Sequence, residues 1–186
     1  MKPIPACMLT ALLLVLTACA PGRGLPALSP PPQDAYRLGP GDQVRVITVA
    51  EDTLTGQFSV DAAGRIAVPM LGSLPAAGLS PAELGDEVAA ALVKRGLVRA
   101  PSVSVEVIRY RPIFVLGEVN KPGEFPYQPG MTLLGSVALA GGFTYRAVED
   151  RASVVRTSDG HTIEGLAGRE SALQPGDVIT IFERTM

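Results

Sequence analysis

The sequence predicts an α+β fold built as two β-rich modules in tandem, and three observations predict it. A turn signature occurs twice, as Leu38-Gly39-Pro40-Gly41-Asp42 ahead of Val44–Val49 and as Leu173-Gln174-Pro175-Gly176-Asp177 ahead of Val178-Ile179-Thr180-Ile181-Phe182. Short alternating stretches recur between the copies, at residues 57–60, 65–68 and 102–107. One segment, Ser80–Arg95, has helical periodicity with an end signal on each side. In each turn, proline presets φ at the first corner, glycine accepts positive φ at the second, and aspartate can bond nearby N–H groups. Two ordinary turns would carry the same letters, so the repeat alone leaves that reading open.

The chain has 186 residues, room for one ordinary domain or two small ones. Hydrophobic residues make up 47% and charged residues 18%, enough for a core of Val, Leu, Ile and Ala, since Trp is absent. The formal charge of −2, with no run of five like charges, argues against nucleic acid or another polyanion as partner.

The first eighteen residues read as an address. Lys2 supplies a positive charge, and Met8–Leu16 is an apolar run of signal-peptide length, too short to span a bilayer. Leu16-Thr17-Ala18-Cys19 follows and is similar to a bacterial lipobox. That likeness implies cleavage between Ala18 and Cys19, with lipid attached to the Cys19 thiol. Only two cysteines exist, Cys7 and Cys19, so the processed chain would hold neither a free thiol nor a disulfide. Removal of residues 1–18 takes one lysine, leaving 15 basic against 18 acidic side chains, a charge of −3. Several acyl chains, at about 0.8 kcal/mol per buried CH₂, make a durable anchor. Position +2 is Ala20 rather than aspartate, and the likeness to other lipoproteins then implies the periplasmic face of the outer membrane. Residues 19–33 carry Pro21, Pro26, Pro30, Pro31 and Pro32 and are expected to form a tether with neither helix nor ladder. At about 3 Å per residue that tether would reach some 40 Å.

The first module is expected over residues 34–110. Gln43–Val49 reads as a buried strand, and 57–60 and 65–68 as a hairpin around Asp61-Ala62-Ala63-Gly64, ended by Pro69. Ser80 is the expected N-cap, Pro81 sits at N1, and Glu83 at N3 completes a capping box. Leu84, Val88, Ala91 and Leu92 share one face, and Gly96 stops the helix. Ser102–Val107 alternates strictly, with valines on one side.

The second module is expected over residues 111–186, in β-grasp-like order. Ile113–Val119, carrying Gly117, is a strand. Asn120-Lys121-Pro122-Gly123 turns into Glu124–Tyr127. Thr132 caps a short helix, Leu133–Ala140, closed by Gly141-Gly142. Arg151–Arg156, a turn at 158–160, a partner stretch at 162–164 and a last strand over Leu173–Phe182 complete it.

Tyr36-Arg37-Leu38-Gly39-Pro40-Gly41-Asp42, the stretch Ser59–Pro69 and the helix at Ser80 resemble the N-terminal domain of outer-membrane polysaccharide export proteins. Val115-Leu116-Gly117-Glu118-Val119-Asn120-Lys121-Pro122-Gly123, then Leu133–Gly142, resembles the soluble-ligand-binding β-grasp domain that follows it there. The resemblance covers nearly all of residues 34–186. It implies a lipoprotein of a capsular or exopolysaccharide export complex, assembled as a homo-oligomeric ring that takes polymer from an inner-membrane copolymerase. Larger, Wza-type members carry more β-grasp repeats and a C-terminal amphipathic helix. This chain ends four residues beyond its last strand, as a short, GumB-like member would, so a separate outer-membrane component is expected.

No catalytic set, metal site or cofactor site is expected. His161 is read as a loop residue without a nucleophile, and Asp34, Asp42, Glu51 and Asp52 as surface or turn carboxylates. No phosphate-binding GxxxxGK[ST] or zinc-binding HExxH occurs. Gly39, Pro40, Gly41, Asp42, Gly117, Pro122, Gly123, Pro175, Gly176 and Asp177 are expected to be architectural. Arg109, Tyr110 and Arg111, between the modules, are open to two readings: a solvated linker, or a contact with sugar or a neighbouring subunit. The other function classes are a periplasmic carbohydrate-binding or scaffolding lipoprotein without an export role, and a glycan hydrolase.

Overall fold

In the computed structural model, residues 22–30, 36–49, 55–158 and 160–184 are described. Among these residues, ten strands and two helices follow one another as β1 (Gln43–Thr48), β2 (Gly56–Ser59), β3 (Arg65–Val68), β4 (Gly72–Pro75), α1 (Pro81–Lys94), β5 (Val103–Arg109), β6 (Ile113–Gly117), β7 (Gly123–Phe125), α2 (Leu133–Leu139), β8 (Ala147–Ser158), β9 (His161–Gly168) and β10 (Val178–Glu183). The architecture is α+β, with two separate buried cores.

The first core lies between an antiparallel sheet of order β2-β1-β5 and α1, closed at one end by the hairpin β3-β4. β1 alternates strictly: Val44 and Val46 are buried while Arg45 and Ile47 point outward. α1 begins at the expected cap. Ser80 Oγ accepts from Glu83 N–H at 3.2 Å and Glu83 Oε2 accepts from Ser80 N–H at 2.7 Å. Gly96 and Leu97 donate back to Val93 and Leu92, closing its C-terminal end. Leu84, Val88 and Leu92 are fully buried on the inner face.

One expectation needs correction. The stretches at 57–60 and 65–68 flank the expected turn but do not pair with each other as a hairpin. β2 pairs with β1, and β3 pairs with β4. The turn is held locally: Asp61 Oδ1 accepts from the Ala63 and Arg65 N–H groups, each at 2.9 Å. β1, with buried valines at alternate positions, takes β2 and β5 as neighbours instead.

The second core is a mixed sheet of order β7-β6-β10-β8-β9, parallel only between β6 and β10. Leu133 and Val137 of α2 share a cluster with Ile113, Val115, Ile179 and Ile181. Strand β6 stops at Gly117 rather than Val119. The last strand starts at Val178, because Leu173–Asp177 forms the turn. His161 opens β9 and is exposed, paired across from Ser158, rather than sitting in the turn.

The expected tether also departs from its reading. Leu28 N–H donates to Leu166 O at 2.8 Å, and Leu166 N–H donates to Pro26 O at 2.7 Å. Residues around Ala27 thus make a parallel bridge on the outer edge of β9, and Leu28 packs against the second core. The register explains why proline is tolerated: Pro26 only accepts, and Leu28 supplies the N–H. Among the described residues, no helix is long and apolar enough to cross a membrane, which says nothing of crossing by strands.

Candidate functional site

The two Pro-Gly-Asp turns fold alike. Asp42 N–H donates to Gly39 O and Asp177 N–H to Gln174 O, each at 3.1 Å. Gly41 (φ 94°) and Gly176 (φ 87°) hold the positive-φ corner of a type II turn. Each aspartate folds back on its own turn: Asp42 Oδ2 accepts from Gly39 N–H at 2.8 Å, and Asp177 Oδ2 from Gln174 N–H at 2.7 Å. Asp42 is thus a turn carboxylate rather than a surface one, and both it and Asp177 are fully buried.

Their remaining accepting capacity does different work. Asp42 accepts from the Tyr36 hydroxyl at 2.6 Å and, through Oδ1, from Arg111 N–H at 2.8 Å. Asp177 receives both arms of Arg156, Nε at 2.9 Å and Nη2 at 2.7 Å. This ion pair is almost wholly shielded from water. Arg156 spends its other donor capacity on Ala172 O and on Ser29 O of the N-terminal segment, at 3.2 and 3.1 Å.

The copies meet at residues 110–112. Arg111 Nε donates to Pro175 O at 2.9 Å, and Gly176 N–H donates to Pro112 O at 3.0 Å. A Cβ on Gly39 would overlap the Arg111 guanidinium, so alanine there would require the guanidinium to move. Beside this contact three tyrosines stack edge to face. Tyr36 and Tyr110 have centroids 5.0 Å apart, Tyr110 and Tyr127 5.6 Å. Tyr127 completes the set by donating to Leu173 O at 3.3 Å. The solvated-linker reading of residues 109–111 is therefore corrected for Tyr110 and Arg111: both are half-buried, Tyr110 lies between the rings of Tyr36 and Tyr127, and Arg111 is bonded to both turns. Arg109 is exposed at the end of β5.

Burial first, then the hydrogen bond to the Asp42 carboxylate, push the Tyr36 phenol well above its ordinary range. A raised folded value means that the contribution is complete below the unfolded tyrosine pKa of about 10 and is lost as pH climbs above it. The melting temperature should therefore fall above about pH 10, and less steeply in Tyr36→Phe. Parallel curves for the two proteins would show that Tyr36 does not carry the effect.

Gly39, Pro40, Gly41, Asp42, Pro175, Gly176 and Asp177 thus come together at one joint. Gly117, Pro122 and Gly123 lie elsewhere, around the β6–β7 connection. Ala18 and Cys19, with Asp34, Glu51 and Asp52, lie outside the described residues. Among the described residues, no group of three or more His, Cys, Asp or Glu could hold a metal ion. A shallow groove of about 500 Å³ runs between the start of α1 and β5, lined by Ser80, Pro81, Gly85, Asp86, Val103 and Ser104. Sequence reasoning missed Arg156 and Tyr127. Arg156 carried a signal, a cation inside an otherwise apolar strand, but nothing local named its partner.

The described residues thus form two α+β units joined through paired turns. Residues 30–108 match the model of the polysaccharide biosynthesis/export protein family, and residues 112–167 match the SLBB domain. The joint at 109–111 falls between the two matched ranges. The chain is 40% identical over 121 residues to the exopolysaccharide production protein ExoF of Rhizobium meliloti (strain 1021), covering 59% of this chain and 28% of ExoF. Together these matches support the polysaccharide export protein family, and the chain spans little more than a quarter of the length of that curated relative.

Proposed function

We propose that this chain is a periplasmic, outer-membrane-anchored lipoprotein of an exopolysaccharide or capsule export complex. In this reading its copies assemble into a ring that conducts the polymer. The observation that carries it is the tandem order of the two family matches along one chain. Polysaccharide is the proposed cargo. An inner-membrane copolymerase and a separate outer-membrane component are the proposed partners, and no chemistry at the polymer is required of this chain.

Two features support the reading. A conduit must pass a hydrated sugar chain without gripping it, and aromatic rings grip sugars by stacking. Of four tyrosines and five phenylalanines, only Phe114 and Tyr145 are well exposed, and three tyrosines are spent on the joint. The N-terminal segment supports a close anchor. With residues 22–29 lying on the second module, only three residue steps separate it from Cys19, a span of at most about 11 Å. The anchor would thus hold the second module beside the membrane rather than 40 Å from it.

The test is to delete the gene and fractionate its polysaccharide between medium, periplasm and cytoplasm, complementing with wild type and with Cys19→Ala. Secreted polymer should be lost, restored by wild type, and not restored by Cys19→Ala. Unchanged secretion, with no paralogue compensating, would overturn the export role and leave a carbohydrate-binding or scaffolding lipoprotein.

A further inference from the structure

Arg111 touches both turn motifs. Its N–H is fixed by Asp42 of the first module and its Nε by Pro175 of the second. The next residue, Pro112, is fixed in turn by Gly176 N–H. The side chain runs beside Gly39 and Gly176, and a Cβ on Gly176 would stand 3.0 Å from Nε. Consecutive residues of the connection are therefore bonded to opposite modules, which removes the rotations that a linker would keep. The tyrosine stack spans the same joint, because Tyr36 precedes the first turn and Tyr127 belongs to the second module.

We infer that Arg111 is a positioning residue: clamped between the two Pro-Gly-Asp turns, it locks the modules at one angle, and that angle lets copies of this chain close into a ring. The lock rests on the geometry of the joint, and its use rests on the ring-forming reading proposed above. Modules joined within one chain move relative to each other by default unless their interface is extensive. A heterologous ring closes only if every copy presents its two contact surfaces at the same rotation, and otherwise grows as an open or mixed assembly. Arginine suits the position because a flat guanidinium slides between glycine faces while Nε still donates in its plane. Lysine keeps the charge without that geometry.

The lock is tested in the full chain with Cys7→Ser and Cys19→Ser, spin-labelled at Glu87→Cys on α1 and Glu170→Cys on the second module, both exposed positions. The labelled protein is diluted into excess unlabelled protein and inter-label distances are measured by double electron–electron resonance. The parent should give one narrow population. Arg111→Met should roughly double its width, with far-UV circular dichroism and amide protection of both cores unchanged. Gly39→Ala, which keeps every hydrogen-bonding group but fills the guanidinium's space, should broaden it likewise. An unchanged distribution in Arg111→Met overturns the lock. Native mass spectrometry of the same proteins tests its use: a single closed stoichiometry in the parent should become a mixture in Arg111→Met. Broadened distances with the parent's stoichiometry would overturn the positioning role. A parent with no closed assembly would overturn the ring reading and the use of the lock, while the distances still decide the lock itself.

Discussion

Replacing Gly117 with alanine should unfold the second module under conditions where the first stays intact. Gly117 ends β6 at φ 81°, opposite Ile181 in the parallel pairing with β10. A Cβ there would overlap the carbonyl oxygen of Ile181, a backbone atom that cannot swing aside as a side-chain tip can. Relief would require β6 and β10 to part at the centre of the five-stranded sheet. The left-handed conformation costs about 1–2 kcal/mol for a residue with a Cβ. Overpacking a rigid site adds about 1–3 kcal/mol, so a loss of about 3 kcal/mol or more is expected. Hydrogen exchange resolved by residue is the right readout, because two cores in one chain need not unfold together. Amides of residues 113–183 should lose protection while those of α1 and β1 keep theirs. Equal protection in both modules of Gly117→Ala would mean that β10 yields easily.

The parts of the fold that were legible in the sequence are those whose cause is local. Ser80, Pro81 and Glu83 fix the start of α1 within one turn of chain, and the structure forms that capping box. The two turn motifs carry their own proline, glycine and aspartate, and each folds onto itself. The failures are nonlocal. Asp61 made a convincing turn, yet the strands beside it pair elsewhere, and β4 (Gly-Ser-Leu-Pro) has no alternation to announce it. The docking of residues 26–28 depends on Leu166, some 140 positions away, whose edge N–H and C=O take up whatever strand reaches them. Proline content argued against such pairing, and only the register shows that Pro26 needs no N–H. The joint was half legible. Asp42 and Asp177 stood out as repeated letters, but the meeting of the two turns at Arg111, through Asp42 and Pro175, follows from the packing of two modules, not from any spacing.

The second large effect is expected at Arg156. Arg156→Ala would leave the Asp177 carboxylate buried, stripped of both guanidinium bonds and still accepting from the Gln174 N–H. Removing one partner of a buried pair costs about 3–5 kcal/mol, most of it the penalty on the charge left behind. Because that penalty belongs to the orphan, Arg156→Met combined with Asp177→Leu should recover part of the loss. Full recovery is not expected, since Ala172 O and Ser29 O lose their donor in the double variant too. Denaturant titration of wild type, the single variants and the double variant measures this directly. A loss below about 1 kcal/mol in Arg156→Ala would mean that water reaches Asp177 and the pair behaves as a surface one. The same substitution separates two roles of the arginine. Ser29 lies just beyond the Pro26–Leu28 contact with β9, so without its guanidinium donor residues 22–30 should be cut sooner by protease than in Asp177→Asn, which keeps Arg156. If Asp177→Asn frees the segment equally fast, the turn rather than the Ser29 bond holds it down. If only Arg156→Ala does, one buried cation both closes the second turn and fixes how far the second module stands from its proposed anchor.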